Sequence, residues 1–171
     1  MNQINIKYYK TKYGELIIGS FNDKLCILDW RYRKMRNSID TRILKALNAT
    51  FIEKDTLIIE ETINQLDEYF NLERKEFDIP LLTLGTPFQQ SVWEALIKVP
   101  YGTTSTYLQL SKDINNVKAV RAVANANGAN AISIIVPCHR IIGTNGELTG
   151  YAGGLGVKKK LLDLEQNLFT I

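Results

Sequence analysis

The residues with the most chemistry in them stand in one run, Pro137-Cys138-His139-Arg140. A free thiol has a pKa of about 8.5 and is only a few per cent ionised at neutral pH. An imidazole within reach, directly or through one water, takes its proton and leaves a thiolate nucleophile. Neighbouring side chains on a regular strand point to opposite faces, so Cys138 and His139 need a bend to converge. Pro137 supplies one, because it fixes φ and removes a backbone donor. Glu165, in the closing segment, is placed to orient His139. The competing reading is a buried, inert cysteine beside a structural histidine. Two glycine-rich stretches follow at once, Gly143–Gly146 and Gly150–Gly156. They read as walls where backbone approaches a ligand, and neither has the spacing of a phosphate loop. Cys26, the other thiol, lies in an alternating stretch with no such neighbours and reads as inert.

The elements that must position this run can be traced backwards. Ile132–Val136 is a short apolar run that reads as a buried strand feeding the bend. Upstream, Thr86 is a plausible N-cap with Pro87 at the first helical position, followed by an apolar face of Phe88, Val92, Ala95, Leu96 and Val99. Thr106–Asp113 is a short helix candidate, and Asn116 could cap a third helix, Val117–Asn127, stopped by Gly128. Two short helices joined by a tight turn, with another packed before them, form a helix-turn-helix pattern. On the third helix Lys118, Arg121 and Asn125 fall on one side, while four alanines keep the rest slim. The chain closes with a helix over Val157–Gln166, whose Lys158-Lys159-Lys160 reads as a solvated face.

The first half is plainer. Ile4–Tyr9, Glu15–Phe21 and Lys24–Trp30 read as an antiparallel meander, with Tyr13-Gly14 and Asn22-Asp23 at the turns. Arg31–Arg36 reads as a solvated basic loop, and Thr41–Phe51 and Ile59–Phe70 as helices. In the second of these, Ile59, Ile63, Leu66 and Phe70 make one apolar stripe, expected to cover a face of the strands. Asn71–Pro87 loses periodicity and reads as a connector. Two domains are therefore expected, 1–84 and 85–171.

Composition narrows the function. The chain has 171 residues, 45% hydrophobic and 23% charged, with two cysteines and one histidine. That excludes a disulfide-dense scaffold, and no finger-type zinc spacing is present. No run of apolar residues is long enough to span a membrane, and Met1–Lys12 lacks the apolar core of a signal peptide. A reducing, cytoplasmic setting (nuclear in a eukaryote) with free thiols is expected. Residues 1–85 carry 13 basic and 13 acidic side chains, whereas 86–171 carry 8 and 5. The whole net charge of +3 thus lies in the second half, which is where an anionic partner is expected.

Taken together, Ile135–Ile142, Gly150–Leu155, Tyr101-Gly102, Thr106-Tyr107, Lys118–Val123 and Asn127–Asn130 resemble the O6-alkylguanine-DNA alkyltransferases, also called methylated-DNA–protein-cysteine methyltransferases. The resemblance is strong over about Phe88 to Glu165. It implies an α+β fold: an N-terminal ribonuclease-H-like antiparallel sheet with helices, then a helical domain with a winged helix-turn-helix-like motif. It also implies DNA repair by single, suicidal transfer of an alkyl group from O6-alkylguanine, or O4-alkylthymine, to Cys138. In that scheme His139 is the base, Glu165 holds its other nitrogen, Asn130 braces the active turn and Tyr107 protonates the departing guanine. Arg121 enters the base stack, Tyr107 also faces the phosphate beside the target nucleotide, Lys118 contacts phosphate, and Asn125 is a further DNA-binding residue. Pro137, Ile141, Tyr151 and Ala152 line the guanine pocket, with the carbonyls of Cys138 and Ile141 accepting from the guanine amino group.

The implied partner is double-stranded DNA approached from the minor groove, with no cofactor, no metal, no membrane and no obligate protein partner. Family members often carry proline after the asparagine brace; Ala131 here is expected to loosen that segment. The other readings are a non-catalytic lesion binder of the alkyltransferase-like type, an alkylation-sensing regulator and a cysteine hydrolase. The first of these carries a different residue at the cysteine position.

Overall fold

The computed structural model describes residues 1–166. The chain forms two compact units, Met1–Leu84 and Gly85–Ile171.

In the first unit, β1 (Asn2–Thr11), β2 (Gly14–Phe21) and β3 (Lys24–Trp30) form the antiparallel meander. Asn22 and Asp23 take positive φ values of 49° and 58°, as a two-residue type I′ hairpin requires. A fourth strand, β4 (Ala49–Glu53), joins parallel to β1, giving the order β3-β2-β1-β4. Leu16 to Ser20 and Leu25 to Trp30 are buried without alternation, so the middle of the sheet is covered on both faces. Helix α2 (Leu57–Phe70) packs on β1, β2 and β3 through Ile59, Leu66, Tyr69 and Phe70.

Two expectations for this unit are corrected. The helix read over Thr41–Phe51 is in fact α1 (Arg36–Leu47), ended by Asn48 in the left-handed region at φ 46°. Asparagine tolerates that conformation, and the β-favouring Thr50-Phe51-Ile52 then starts a strand. Nor is the basic run a solvated loop. The carboxylate of Asp29, wholly buried, accepts from Arg33 at 3.0 Å and Arg36 at 2.9 Å, and its other oxygen accepts from the Trp30 amide at 2.9 Å. Removing the acid takes from Arg33 its ion pair with a wholly buried carboxylate, while Arg36 keeps Asp40 at 2.7 Å. Asp29→Ala is expected to cost about 3–5 kcal/mol, read as a lowered urea midpoint with unchanged slope; a loss under about 1 kcal/mol would show the pair to be solvated.

In the second unit, Thr86 and Gln89 form a reciprocal capping box around Pro87 at the start of α3 (Pro87–Ile97). Trp93 fixes α3 on a neighbour by donating its indole N–H to the Ala126 carbonyl at 2.8 Å. Helices α3, α4 (Tyr107–Asp113) and α5 (Val120–Gly128) pack on one another. Strands β5 (Ser105–Thr106) and β6 (Ile141–Ile142) pair in parallel, and α6 (Leu155–Glu165) closes the unit.

Helix α5 begins three residues later than its sequence pattern predicts. Asn115, at φ 58°, and Asn116 close α4 instead, donating to the carbonyls of Lys112 at 2.9 Å and Ser111 at 2.8 Å in a Schellman arrangement. Lys118 therefore stands in the turn ahead of α5, and only Arg121 and Asn125 share its helical face. Residues 132–136 are not a strand either. They form successive tight turns, with Ile135 donating to Ser133 at 2.8 Å and Val136 to Ile132 at 3.0 Å.

Candidate active site

The turn sequence before Cys138 is organised by one side chain. Asn130, 3% exposed, donates to the carbonyls of Val136 at 2.8 Å and Ile132 at 3.3 Å and accepts from the Ile132 amide at 2.9 Å. This brace is made with Ala131, which is buried, beside it. Within the brace Ile134 sits at φ 72°, 1% exposed, a conformation that costs a β-branched residue of order 1–3 kcal/mol and persists only where surroundings over-determine it. Pro137, at φ −82° and ψ 63°, then makes an inverse γ-turn, closed by the Cys138 amide donating to Val136 at 2.8 Å. The chain passes straight into a 3₁₀ turn, Cys138–Arg140, so the strand alternation that would separate Cys138 from His139 is broken.

Glu165 is the hub behind that turn. Its carboxylate lies 2.6 Å from His139 Nε2, and it accepts from Arg140 Nε at 2.8 Å, Arg140 Nη2 at 3.0 Å and the Gly102 amide at 3.3 Å. Arg140 is held from its other side by the Val99 carbonyl at 2.8 Å. Gly102 lets the backbone come this close: at φ 76°, a Cβ there would stand 3.2 Å from the Glu165 carbonyl oxygen. Burial by itself would raise the Glu165 pKa, but the hydrogen bonds and charges of His139 and Arg140 outweigh it and hold the acid well below the usual carboxylate range.

Histidine 139 is wholly buried, and burial pulls its pKa below 6.5 against the opposing pull of Glu165. A neutral ring donating Nε2–H to the carboxylate leaves Nδ1 as an acceptor. Nδ1 is buried and takes a hydrogen bond from no protein group. Cys138 is 4% exposed. Cys26, equally buried, has its thiol pushed up to about 12 by desolvation, which keeps it protonated.

The β5–β6 pairing, Thr106 opposite Ile142, brings the start of α4 beside the cysteine turn. Tyr107, first residue of α4, donates to the Thr149 carbonyl at 3.1 Å; burial, reinforced by the charge of Cys138, raises its pKa. Tyr151 stands with its ring edge-on to His139, centroids 6.4 Å apart, and Ala152 beside it is half-buried. Pro137 and Ile141 are buried, and the carbonyls of Cys138 and Ile141 already accept from the Ile141 amide and Lys158 respectively, each keeping a second lone pair. Arg121, Asn125 and Lys118 are all exposed.

Lys158 is the main correction. Expected on a solvated face, it is wholly buried, and desolvation lowers its pKa to about 8. The sequence pattern also gave no role to Arg140 or Gly102. Arg140 adjoins His139 in the chain, but nothing in its neighbours identifies an acid 25 residues away as its partner. Among the described residues no group of three or more His, Cys, Asp and Glu side chains could hold a metal ion, and no helix is long and apolar enough to cross a membrane.

A bent Cys-His pair backed by a buried carboxylate, in a unit whose helix-turn-helix leaves Arg121 exposed, defines a cysteine-dependent protein with a nucleic-acid-binding scaffold. Comparison with known proteins agrees with this. The family model for the 6-O-methylguanine DNA methyltransferase DNA binding domain matches residues 87–167, and that for the ribonuclease-like domain of the same enzymes matches 4–83. The methylated-DNA–protein-cysteine methyltransferase of Methanosarcina mazei is 52% identical over 75% of this chain and 80% of its own length. The constitutive enzyme of Bacillus subtilis is 41% identical over 94% of this chain and 96% of its own. Mycobacterium tuberculosis OGT, in a crystal structure in complex with DNA, superposes with a TM-score of 0.81 at 36% identity, covering 96% of this chain and 93% of that one. The chain belongs to the methylated-DNA–protein-cysteine methyltransferase family.

Proposed function

We propose that this protein repairs DNA by moving the alkyl group of O6-alkylguanine onto Cys138, once per molecule. The observation that carries this reading is the His139–Glu165 contact at 2.6 Å, with His139 in the same 3₁₀ turn as Cys138. Glu165 fixes the tautomer, and the free Nδ1 takes the thiol proton through a bridging water. The thiolate attacks the alkyl carbon in line; the S–C bond forms as the C–O6 bond breaks, and the electron pair leaves with guanine. Tyr107, kept protonated by its raised pKa, neutralises the departing base. The product is a thioether, which neither water nor an ordinary side chain cleaves, so the acceptor is spent.

The lesion carbon is buried in duplex DNA and the nucleotide must leave the stack, at a cost of a few kcal/mol. Arg121 fills the gap from the exposed face of α5, approaching through the minor groove, while Lys118 and Asn125 meet the backbone. Pro137, Ile141, Tyr151 and Ala152 line the pocket for the extruded base. The second unit carries the whole of this chemistry, and the first is its ribonuclease-like companion. The setting is the cytoplasm, where both free thiols stay reduced. A lesion binder without chemistry has no use for a thiol backed by a buried histidine and acid, which favours transfer.

Titration of the protein with a duplex carrying O6-methylguanine tests the proposal. Guanine formation should stop at one equivalent per protein; continued turnover would point to a hydrolase. Arg121→Ala is expected to slow repair of the lesion duplex by about tenfold or more, in line with the loss of a few kcal/mol of flipping support, while reaction with free O6-benzylguanine stays within about twofold. Equal losses on both substrates would remove the base-flipping role. The pH profile of the single-turnover rate gives a further check. A protonated His139 cannot accept the thiol proton, so the rate falls as pH drops through the folded-state pKa. Because burial places that pKa below 6.5, the acid limb should lie below 6.5, and a limb centred above it would contradict the assignment.

A further inference from the structure

Lys158 lies one turn into α6, and its ammonium group is enclosed by backbone carbonyls. Nζ donates to Ile141 at 2.5 Å, Thr149 at 2.9 Å and Gly150 at 3.3 Å. An ammonium has three N–H donors and no acceptor, so three converging carbonyls satisfy it completely. The three acceptors come from two places in the chain. Ile141 begins the strand that leaves the cysteine turn, and Thr149-Gly150 opens the glycine-rich segment that carries Tyr151. The Thr149 carbonyl is shared, since Tyr107 also donates to it at 3.1 Å. One cation thus ties α6, the cysteine strand, the Tyr151 segment and, through Thr149, the first residue of α4.

Backbone turns also tie that segment internally, Gly143 donating to Glu147 and Gly154 to Tyr151, each at 2.9 Å. Thr149 and Gly150 are exposed, 143–154 contains five glycines, and its middle forms no helix or strand. Such a stretch has a large conformational entropy to lose on becoming a rigid wall. A charge-assisted bond to a carbonyl contributes more than a neutral one, and here three share a single donor group.

We propose that Lys158 is a positioning residue that holds the two walls of the guanine pocket, the Ile141 carbonyl and the Thr149–Tyr151 backbone, at the spacing a flipped base requires. This rests on the alkyl-transfer reading. The charge of Lys158 is felt by Cys138 and His139, but all three of its hydrogen bonds go to the pocket walls; it acts by keeping the pocket shaped before the base arrives, so the extruded base is captured rather than returned to the stack.

The test uses the full chain and a duplex with one O6-methylguanine, comparing wild type with Lys158→Met, which keeps the stem and removes all three donors. The limiting single-turnover rate should fall by about tenfold or more, while duplex affinity, set by Arg121 and Lys118, stays within about twofold. Alkylation of Cys138 by iodoacetamide should fall by no more than about twofold, because only the loss of the Lys158 charge bears on the thiol and its cover is looser. Backbone amide exchange should rise within 149–154 and stay protected in α3 and α5. Lys158→Gln, with two donors and no charge, should fall between the two, and it serves where the Met variant does not fold. An unchanged repair rate would overturn the proposal. So would an iodoacetamide rate that falls in step with repair, because Lys158 would then be acting on the thiol instead of the walls. If wild type gains no methyl group, the alkyl-transfer reading itself fails; a methylated wild type with an unaffected variant removes this inference alone.

Discussion

Cys138→Ser should bind a lesion duplex with affinity within about twofold of wild type and transfer nothing. The loss in single-turnover rate is expected to be about 10⁴-fold or more, the scale found when a nucleophile is taken from a hydrogen-bonded catalytic set. The reasoning is chemical: a hydroxyl is far harder to ionise than a thiol, and a neutral histidine whose pKa burial has lowered is a weak base for it. The brace of Asn130, the inverse γ-turn at Pro137 and the Glu165 hub are all made by other atoms. Stability should therefore change by no more than about 1 kcal/mol, checked by urea unfolding. Transfer that persists in the variant would place the acceptor elsewhere, and Cys26, pushed up to about 12 by burial, would be the only other thiol.

Glu165→Gln should damage both fold and reaction, because one carboxylate serves His139, both arms of Arg140 and the Gly102 amide. The amide keeps the shape but loses the charge facing a buried guanidinium. Breaking a buried pair in this way costs about 3–5 kcal/mol. Measured on the folded fraction, the repair rate should fall a further ~10²–10⁴-fold, the range for loss of an effective general base. Proton linkage gives an independent signature. The folded-state pKa of Glu165 is depressed, so its stabilisation is complete above the ordinary carboxylate value of 4.5 and is lost as pH falls below it. The stability gap between wild type and variant should therefore be constant from pH 7 to about 5 and shrink in more acid solution. A gap that persists undiminished to pH 3 would mean that Glu165 is not held as a carboxylate by its neighbours.

The chemistry of this site was easier to read from the residues than its architecture. Cysteine, histidine and a preceding proline form a local pattern, and so does a threonine cap before Pro87. Local patterns report local physics. The turns over 132–136 are not legible as turns because the run is as apolar as a strand and the side chain that braces its two ends, Asn130, lies outside it. Helix α5 starts late because Asn115 and Asn116, good cap residues on either side, are taken by the end of α4. The fourth strand hid behind Asn48, which allows a helix to end where composition alone continues it. In the two basic stretches Arg33, Arg36 and Lys158 leave solvent because each meets a partner outside its own run, a buried acid or a set of carbonyls, while Lys34, Lys159 and Lys160 are exposed as expected. Charge density predicts exposure only when such partners are absent, and those partners are set by tertiary structure.

The most direct measurement is the intact mass of the protein after incubation with a duplex carrying O6-methylguanine, followed by peptide mapping. Cys138 as acceptor requires that each molecule gain the mass of one CH₂ unit, confined to the peptide containing Cys138, with unmodified guanine restored in the DNA and no second addition on longer incubation. A protein that holds the duplex without changing mass, or a methyl group mapped to any other residue, would contradict it.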